Sequence, residues 1–348
     1  MIDTVKLTEN YIEIIDQTRL PEKFVMVRIR TVPDMVSAIR SLAVRGAPAI
    51  GVAAAFSLAL FLRKLKTRTN EKMTAYWSAA VKALNASRPT AVNLFSATRR
   101  MDRVFLTNLD KDPHTIREAV WREAKSIHQE DLDMSRRIGE TGNKLIRNGD
   151  IVLTHCNAGG LATAGLGTAL AVLYAAKQDG KLFKVFADET RPLLQGSRLT
   201  VWELMHNDID VRLICDNMAA FAMRTKGITK IITGADRIAR NGDTANKIGT
   251  CGLAILAKHC GVPLYIAAPA TTFDLSLDDG SGIPVEERDP EELTFFNGRR
   301  IAPSGAKVWN PAFDVTPGGL IAGFITDRGL ITPPYRTGIQ RKMSARVR

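Results

Sequence analysis

Cysteine is scarce in this chain. Its four thiols, Cys156, Cys215, Cys251 and Cys260, form no CxxC pair and no Cys/His spacing of a zinc ligand set. That excludes a disulfide framework and the common structural zinc sites, and reduced thiols in a cytoplasmic protein are expected. Long apolar runs are scarce too. Residues 51–62 are too few to span a bilayer, and residues 159–176 are rich in Gly, Ala and Thr. Both are read as buried helices rather than membrane spans. The opening residues MIDTVKLTEN carry acids and no apolar stretch, so no signal peptide is expected. Aromatic residues make up only 6% and do not interleave with the basic clusters, which argues against a base-stacking surface. No Walker-type phosphate loop is present.

What the chain has is ordinary globular material: 348 residues, 45% hydrophobic and 24% charged, enough for two domains. The formal charge of +12 is the unusual feature. It reads either as a solvated basic surface or as a match for a polyanion. Five of those charges, Arg336, Arg341, Lys342, Arg346 and Arg348, sit in an acid-free terminal stretch, and a second cluster runs from Arg63 to Arg68. A nucleic-acid partner is not expected.

The second half has a regular rhythm. β-Branched runs at 151–155, 183–187, 211–215, 230–233 and 264–267 alternate with helical patterns such as 161–177 and 253–259. Such alternation marks βαβ units and a parallel sheet covered on both faces. In the first half, short strands are expected at 11–16 and 24–30. Helices follow at 34–44, 49–64, 71–86, 91–109 and 115–138. The expected fold is therefore α/β: a Rossmann-like parallel-sheet domain preceded by a smaller, mainly helical N-terminal domain with a few short strands. The expected limits are 1–145 and 146–334, with a basic, mobile tail at 335–348.

Ligands of open parallel sheets bind beyond the carboxyl ends of the strands. Reading off those ends collects His155-Cys156-Asn157, Asp188-Glu189-Thr190-Arg191, Gln195, Asp216-Asn217 and Asp236-Arg237. Cys156 is either a small buried hydrophobe or a working thiol. Asp236, after an apolar run, must be hydrogen-bonded, paired with Arg237 or functional, and burial would raise its pKa for acid chemistry. His155 is a poor base for Cys156, because neighbouring strand residues point to opposite faces. Arg45-Gly46-Ala47-Pro48 opens an apolar helix and can present amides and charge to a phosphate. Asn246-Lys247 sits in what reads as a polar loop before a helix. The glycines at 159, 160, 165 and 167 do not fit the GxGxxG dinucleotide spacing, although a nicotinamide enzyme stays open at this level.

Taken together, the motifs VRGAPAIG (44–51), SRPTAVNL (87–94), LTHCNAGG (153–160), ETRPLLQGSRLT (189–200), DNMAA (216–220), TGADRIARNGDTANKIGT (233–250) and PVEER (284–288) resemble the methylthioribose-1-phosphate isomerases. That family shares a superfamily with the regulatory subunits of translation initiation factor 2B. The resemblance runs almost end to end and implies an aldose–ketose isomerase of methionine salvage acting on a small phosphorylated sugar. It implies a homodimer with no metal and no nucleotide cofactor. Cys156 and Asp236 match the family's catalytic positions. Arg45, Gly46, Ala47, Arg88, Gln195, Asn246 and Lys247 match its substrate-binding positions. Two other readings remain: an isomerase of another 5-deoxy-pentose 1-phosphate, and a non-catalytic regulatory subunit.

Overall fold

A computed structural model describes residues 3–67, 69–89 and 91–344, with only the backbone of Ala47. Arg68, Arg346 and Arg348 of the basic clusters lie outside the described residues. The chain divides into two compact units: residues 1–135 with 159–167, and residues 136–158 with 168–348.

The first unit opens with an antiparallel sheet of β1 (Val5–Leu7), β2 (Ile12–Ile15) and β3 (Met26–Ile29). Helix α1 (Val32–Arg40) starts on a capping box in which Thr31 and Asp34 satisfy each other's backbone amides. Next come α2 (Ala47–Lys64), α3 (Asn70–Asn85), α4 (Val92–Thr107) and α5 (Pro113–Asn143). Helix α2 is apolar on nearly all sides, as befits a helix enclosed by others. Trp77 of α3 stacks on Phe105 of α4 at 4.5 Å and donates its indole N–H to Asp102 at 2.8 Å.

The helix expected over 161–177 starts only at Ala169. Residues 159–168 are irregular apart from one 3-10 turn, and belong largely to the first unit. The apolar character there reflects burial rather than helical periodicity, and the glycine-rich spacing releases the backbone from the helix. The segment is tied down by the Thr4 hydroxyl on the Gly160 carbonyl, the Gln17 amide on the Leu161 carbonyl and the Ala164 N–H on Asp131, each at 2.7 Å.

The second unit is built on a seven-stranded sheet. Its elements in chain order are β4 (Ile151–Thr154), α6 (Ala169–Gln178), β5 (Lys184–Asp188), α7 (Val201–His206), β6 (Val211–Ile214), α8 (Ala219–Lys226), β7 (Lys230–Thr233), β8 (Arg237–Ala239), β9 (Thr244–Lys247), α9 (Thr250–Cys260), β10 (Leu264–Ala267) and β11 (Phe273–Asp274). Then follow α10 (Glu291–Thr294), the small hairpin β12 (Phe295–Phe296) and β13 (Arg299–Arg300), β14 (Phe313–Thr316), β15 (Gly323–Thr326), β16 (Gly329–Ile331) and α11 (Tyr335–Ser344). The sheet order is β16-β15-β10-β7-β4-β5-β6, all parallel except β16. Counted from β4, its parallel strands lie in the order 3-2-1-4-5-6, which is the doubly wound arrangement, with its switch point between β4 and β7.

Two further expectations change. Asn246-Lys247 lies on a strand, not in a loop: β9 is sandwiched between β8 and β14 in a second sheet. Its partner β14 comes from far along the chain, so local pattern could not reveal it. Residues 335–344 are a docked helix rather than a mobile tail. Tyr335 is buried, donates its hydroxyl to the Ile321 carbonyl at 2.6 Å and meets Phe324 edge-on, and Ile339 is buried beside it.

Burial pushes the Asp131 carboxyl up to about 6, with the Ala164 amide pulling against it. The native state therefore holds a proton that the unfolded chain releases nearer pH 4, so stability falls as pH rises from about 4 to about 6, by up to about 3 kcal/mol. Denaturant unfolding of Asp131→Asn should show this slope flattened relative to the parent. An unchanged slope would assign it to other groups.

Candidate active site

Strand β4 ends at Thr154, and two residues later Cys156 turns into the left-handed region at φ 63°. A non-glycine residue there costs of order 1–3 kcal/mol and needs its surroundings to hold it. Two buried threonines do so. The Cys156 N–H donates to the Thr190 hydroxyl at 2.8 Å, and the Cys156 carbonyl accepts from the Thr200 hydroxyl at 2.6 Å. Thr190 is itself left-handed, and its N–H and that of Arg191 donate to the two oxygens of Asp216. Thr200 also accepts from the Asn157 amide, which donates in addition to the buried Glu203 at 2.8 Å. Tyr174 donates to the other Glu203 oxygen, and burial, with Glu203 adding to it, pushes the phenol well above its usual range.

His155 is 2% exposed and both ring nitrogens are engaged: Nδ1 with Asp188 Oδ2 and Nε2 with the Ile248 carbonyl, each at 2.9 Å. Desolvation pulls the imidazole pKa down, but the Asp188 hydrogen bond and charge outweigh it and leave it raised. Burial raises Asp188, with His155 pulling against. The ligand atoms of His155, Asp188 and Asp216 lie within 4.8 Å of one another, a spacing that can hold a metal. Here the ring nitrogens and both Asp216 oxygens are committed to hydrogen bonds, so the trio reads as a polar network.

Asp236 follows β7 at the far side of the switch point. Its N–H donates to the Ala245 carbonyl at 2.9 Å, so it enters the β8–β9 ladder beside Asn246. Its side chain is exposed, contrary to the burial expected from the preceding apolar run. Run Ile231–Thr233 is the buried strand, and the residue sits past its end. Arg237 makes its ion pair with Asp274 at 3.7 Å. Asn246 is buried and donates to the Thr250 hydroxyl at 3.0 Å. Lys247 donates to the Ala312 carbonyl at 2.8 Å and lies 4.7 Å from the Phe313 ring centre. Gln195 is buried, and its Oε1 finds no partner among the described residues. A buried acceptor left open is costly, so it is suited to a ligand hydroxyl.

The remaining expected residues belong to the first unit. Arg45 is half-buried and donates through Nε to Gln17 at 3.1 Å, which sequence reasoning did not single out as a support. Gly46 takes φ 89°, and a Cβ there would lie 2.5 Å from the Ala162 backbone, so only glycine fits. Ala47 is the first residue of α2, whose amides face its N-terminus; its side chain lies outside the described residues. Arg88 is half-buried just before α4.

A family model described as the initiation factor 2 subunit family matches residues 43–333. The chain belongs to that family. Among curated relatives it is 52% identical over 344 residues to a methylthioribose-1-phosphate isomerase of Geotalea daltonii, covering 99% of this chain and 98% of that one. It is 50% identical over 347 residues to a 5-deoxyribose 1-phosphate isomerase of Moorella thermoacetica, covering 100% and 99%. Among solved structures it matches 5-methylthioribose 1-phosphate isomerase from Pyrococcus horikoshii with a TM-score of 0.94 at 42% identity, covering 98% and 96%. A protein from A. fulgidus described as translation initiation factor eIF-2B, subunit delta, matches at 0.91 and 42%, covering 99% and 100%. The resemblance read from the motifs and the Rossmann-like fold are thereby borne out.

In this family member, the residues that the motifs did not single out are the supports. Thr190, Thr200 and Asp216 hold the Cys156 turn; Thr190 and Asp216 fall at polar strand ends, whereas Thr200 stands just before α7 and carries no such signal. Thr200→Val keeps the shape and removes the donor. The unfolding free energy should fall by about 1–3 kcal/mol, with faster amide exchange at 156–158. Unchanged stability and exchange would mean that other contacts hold the turn.

Proposed function

We propose that the protein is an aldose–ketose isomerase converting 5-methylthioribose 1-phosphate to 5-methylthioribulose 1-phosphate in methionine salvage. The observation that carries this reading is full-length identity of about half to named isomerases, together with a strained thiol at the switch point of the sheet.

The substrate dictates the chemistry. Its anomeric oxygen carries phosphate, so the ring cannot open through a free hydroxyl. An acid must protonate the ring oxygen as the C1–O bond breaks, and we assign this to Asp236. Its exposure leaves it open to recharge from solvent. Hydrogen then moves from C2 to C1 while the C2 hydroxyl loses its proton and becomes the ketone. Cys156 as thiolate can take the C2 proton and return it to C1 through an enol phosphate. A direct hydride shift from C2 to C1 gives the same product. In the first unit Arg45, Arg88 and the amides at Gly46 and Ala47 are assigned to the substrate. In the second, Lys247 is assigned to phosphate, and Gln195 and Asn246 to hydroxyls.

The Moorella relative's name favours a second reading, 5-deoxyribose 1-phosphate as substrate. The ratio of kcat/KM for the two sugars decides between them. The regulatory-subunit reading does not explain the presence of Cys156, Asp236 and the phosphate-binding residues together.

Cys156→Ser and Asp236→Asn should each lower kcat by about 10³-fold or more with KM changed little. A kcat near the parent's in either variant would remove that residue from the chemistry. With deuterium at C2, exchange of the label into water marks the thiolate route, and full retention marks the hydride shift.

We also assign the protein to the cytoplasm and to a homodimer. None of the four cysteines forms a disulfide, and no helix among the described residues is long and apolar enough to cross a membrane. Support for the dimer is the free edge of the sheet at β6, where Leu213 is 50% exposed, with Phe221 of α8 67% exposed. Sedimentation equilibrium should give twice the chain mass, and Leu213→Lys with Phe221→Lys should give the monomer. A monomeric parent would contradict the assignment.

A further inference from the structure

Among the buried ionisable groups that the mechanism does not use, His155 stands nearest in sequence to the site. His155 sits immediately before the catalytic thiol, yet both its ring nitrogens point into the protein. A backbone carbonyl can only accept, so the contact with Ile248 requires a proton on Nε2. That leaves Nδ1 to share a proton with Asp188. Ile248 follows Asn246 and Lys247 directly, so the ring bridges the end of β4 to the segment assigned to the substrate.

The segment is shaped to receive that bridge. Gly249 takes φ 103°, and a Cβ there would lie 2.9 Å from His155 Cε1 and 3.0 Å from Nε2. Its backbone therefore lies directly against the ring. The other side of the turn is fastened by Asp314, which accepts the N–H groups of Gly249 and Cys251 at 2.8 and 3.0 Å. Ile248 donates its own N–H to the Ala312 carbonyl at 3.0 Å, which leaves its carbonyl for the histidine. A buried charged pair adds little net stability compared with apolar packing. What this one does supply is a fixed spacing.

We propose that His155 is a positioning residue: donating through Nε2 to Ile248 and held by Asp188, it keeps the Cys156 turn and the Asn246–Lys247 segment in one register. The kinetic consequence rests on the isomerase reading above. The tether itself does not.

Two substitutions separate the contacts. The amide nitrogen of His155→Gln reaches the Nε2 position and can still donate to Ile248. That of His155→Asn reaches only the Nδ1 position and cannot. In the full-length protein, hydrogen–deuterium exchange of peptides covering 244–251 should accelerate about tenfold in His155→Asn and stay near the parent rate in His155→Gln. KM for methylthioribose 1-phosphate should rise about tenfold in the asparagine variant and much less in the glutamine variant. Equal exchange rates in parent and asparagine variant would overturn the proposal, as would equal acceleration in both variants. Should the asparagine variant fail to fold, the glutamine variant decides alone: parent-like exchange supports the tether and faster exchange overturns it. If exchange behaves as expected but the parent does not turn the sugar over, the isomerase reading fails and the tether stands.

Discussion

The structure depends on a thiol-bearing residue being held in a backbone conformation that it would not choose. At the switch point of a doubly wound sheet, here between β4 and β7, neighbouring connections leave in opposite directions, and ligands of such sheets bind beyond the strand ends there. Cys156 lies on the first of these ends, Asp236 past the second. The left-handed turn at Cys156 is affordable because Thr190 and Thr200 take both its backbone groups, and each threonine is held in turn by Asp188, Asp216 or Asn157. Strain of this size persists only where neighbours over-determine it, and here the neighbours form one continuous polar network.

Electrostatics follow the same plan. In the network beneath the turn, burial raises the Asp188 carboxyl and the Tyr174 phenol, with His155 hydrogen-bonded to Asp188 and Tyr174 donating to Glu203. Asp236 is exposed and leads into the hairpin that carries Asn246 and Lys247. The buried groups hold geometry, and the proposed mechanism gives the proton on the ring oxygen to the exposed Asp236.

Much of this was legible in the sequence, and the reasons are physical. Strands β7 and β10 were readable to the residue, because short buried runs at regular spacing between helical segments mark the strands of a parallel sheet. Helices α3 to α5 showed their 3.6-residue pattern, and α2 its continuous apolar run. The search at strand ends found Cys156, Asp188, Asp216 and Asp236 without any structure. Residues 159–168 misled because apolar content stood in for periodicity. The β9 strand was hidden because one of its two partners, β14, is distant in the chain, and the C-terminal helix because its basic face outweighs the two apolar anchors Tyr335 and Ile339. Asp236 looked buried because its neighbours are. Gln17 and the two threonines carry no chemistry of their own, so nothing in their type marks them as supports.

The central claim is that this turn isomerises a sugar whose C1 oxygen stays phosphorylated. The direct measurement is NMR of the purified protein with methylthioribose 1-phosphate labelled with ¹³C at C1 and C2. The account predicts that the C2 signal moves to a ketone position and C1 to a methylene still coupled to phosphorus. A labelled sugar left unchanged, or one that loses its phosphate, would contradict it.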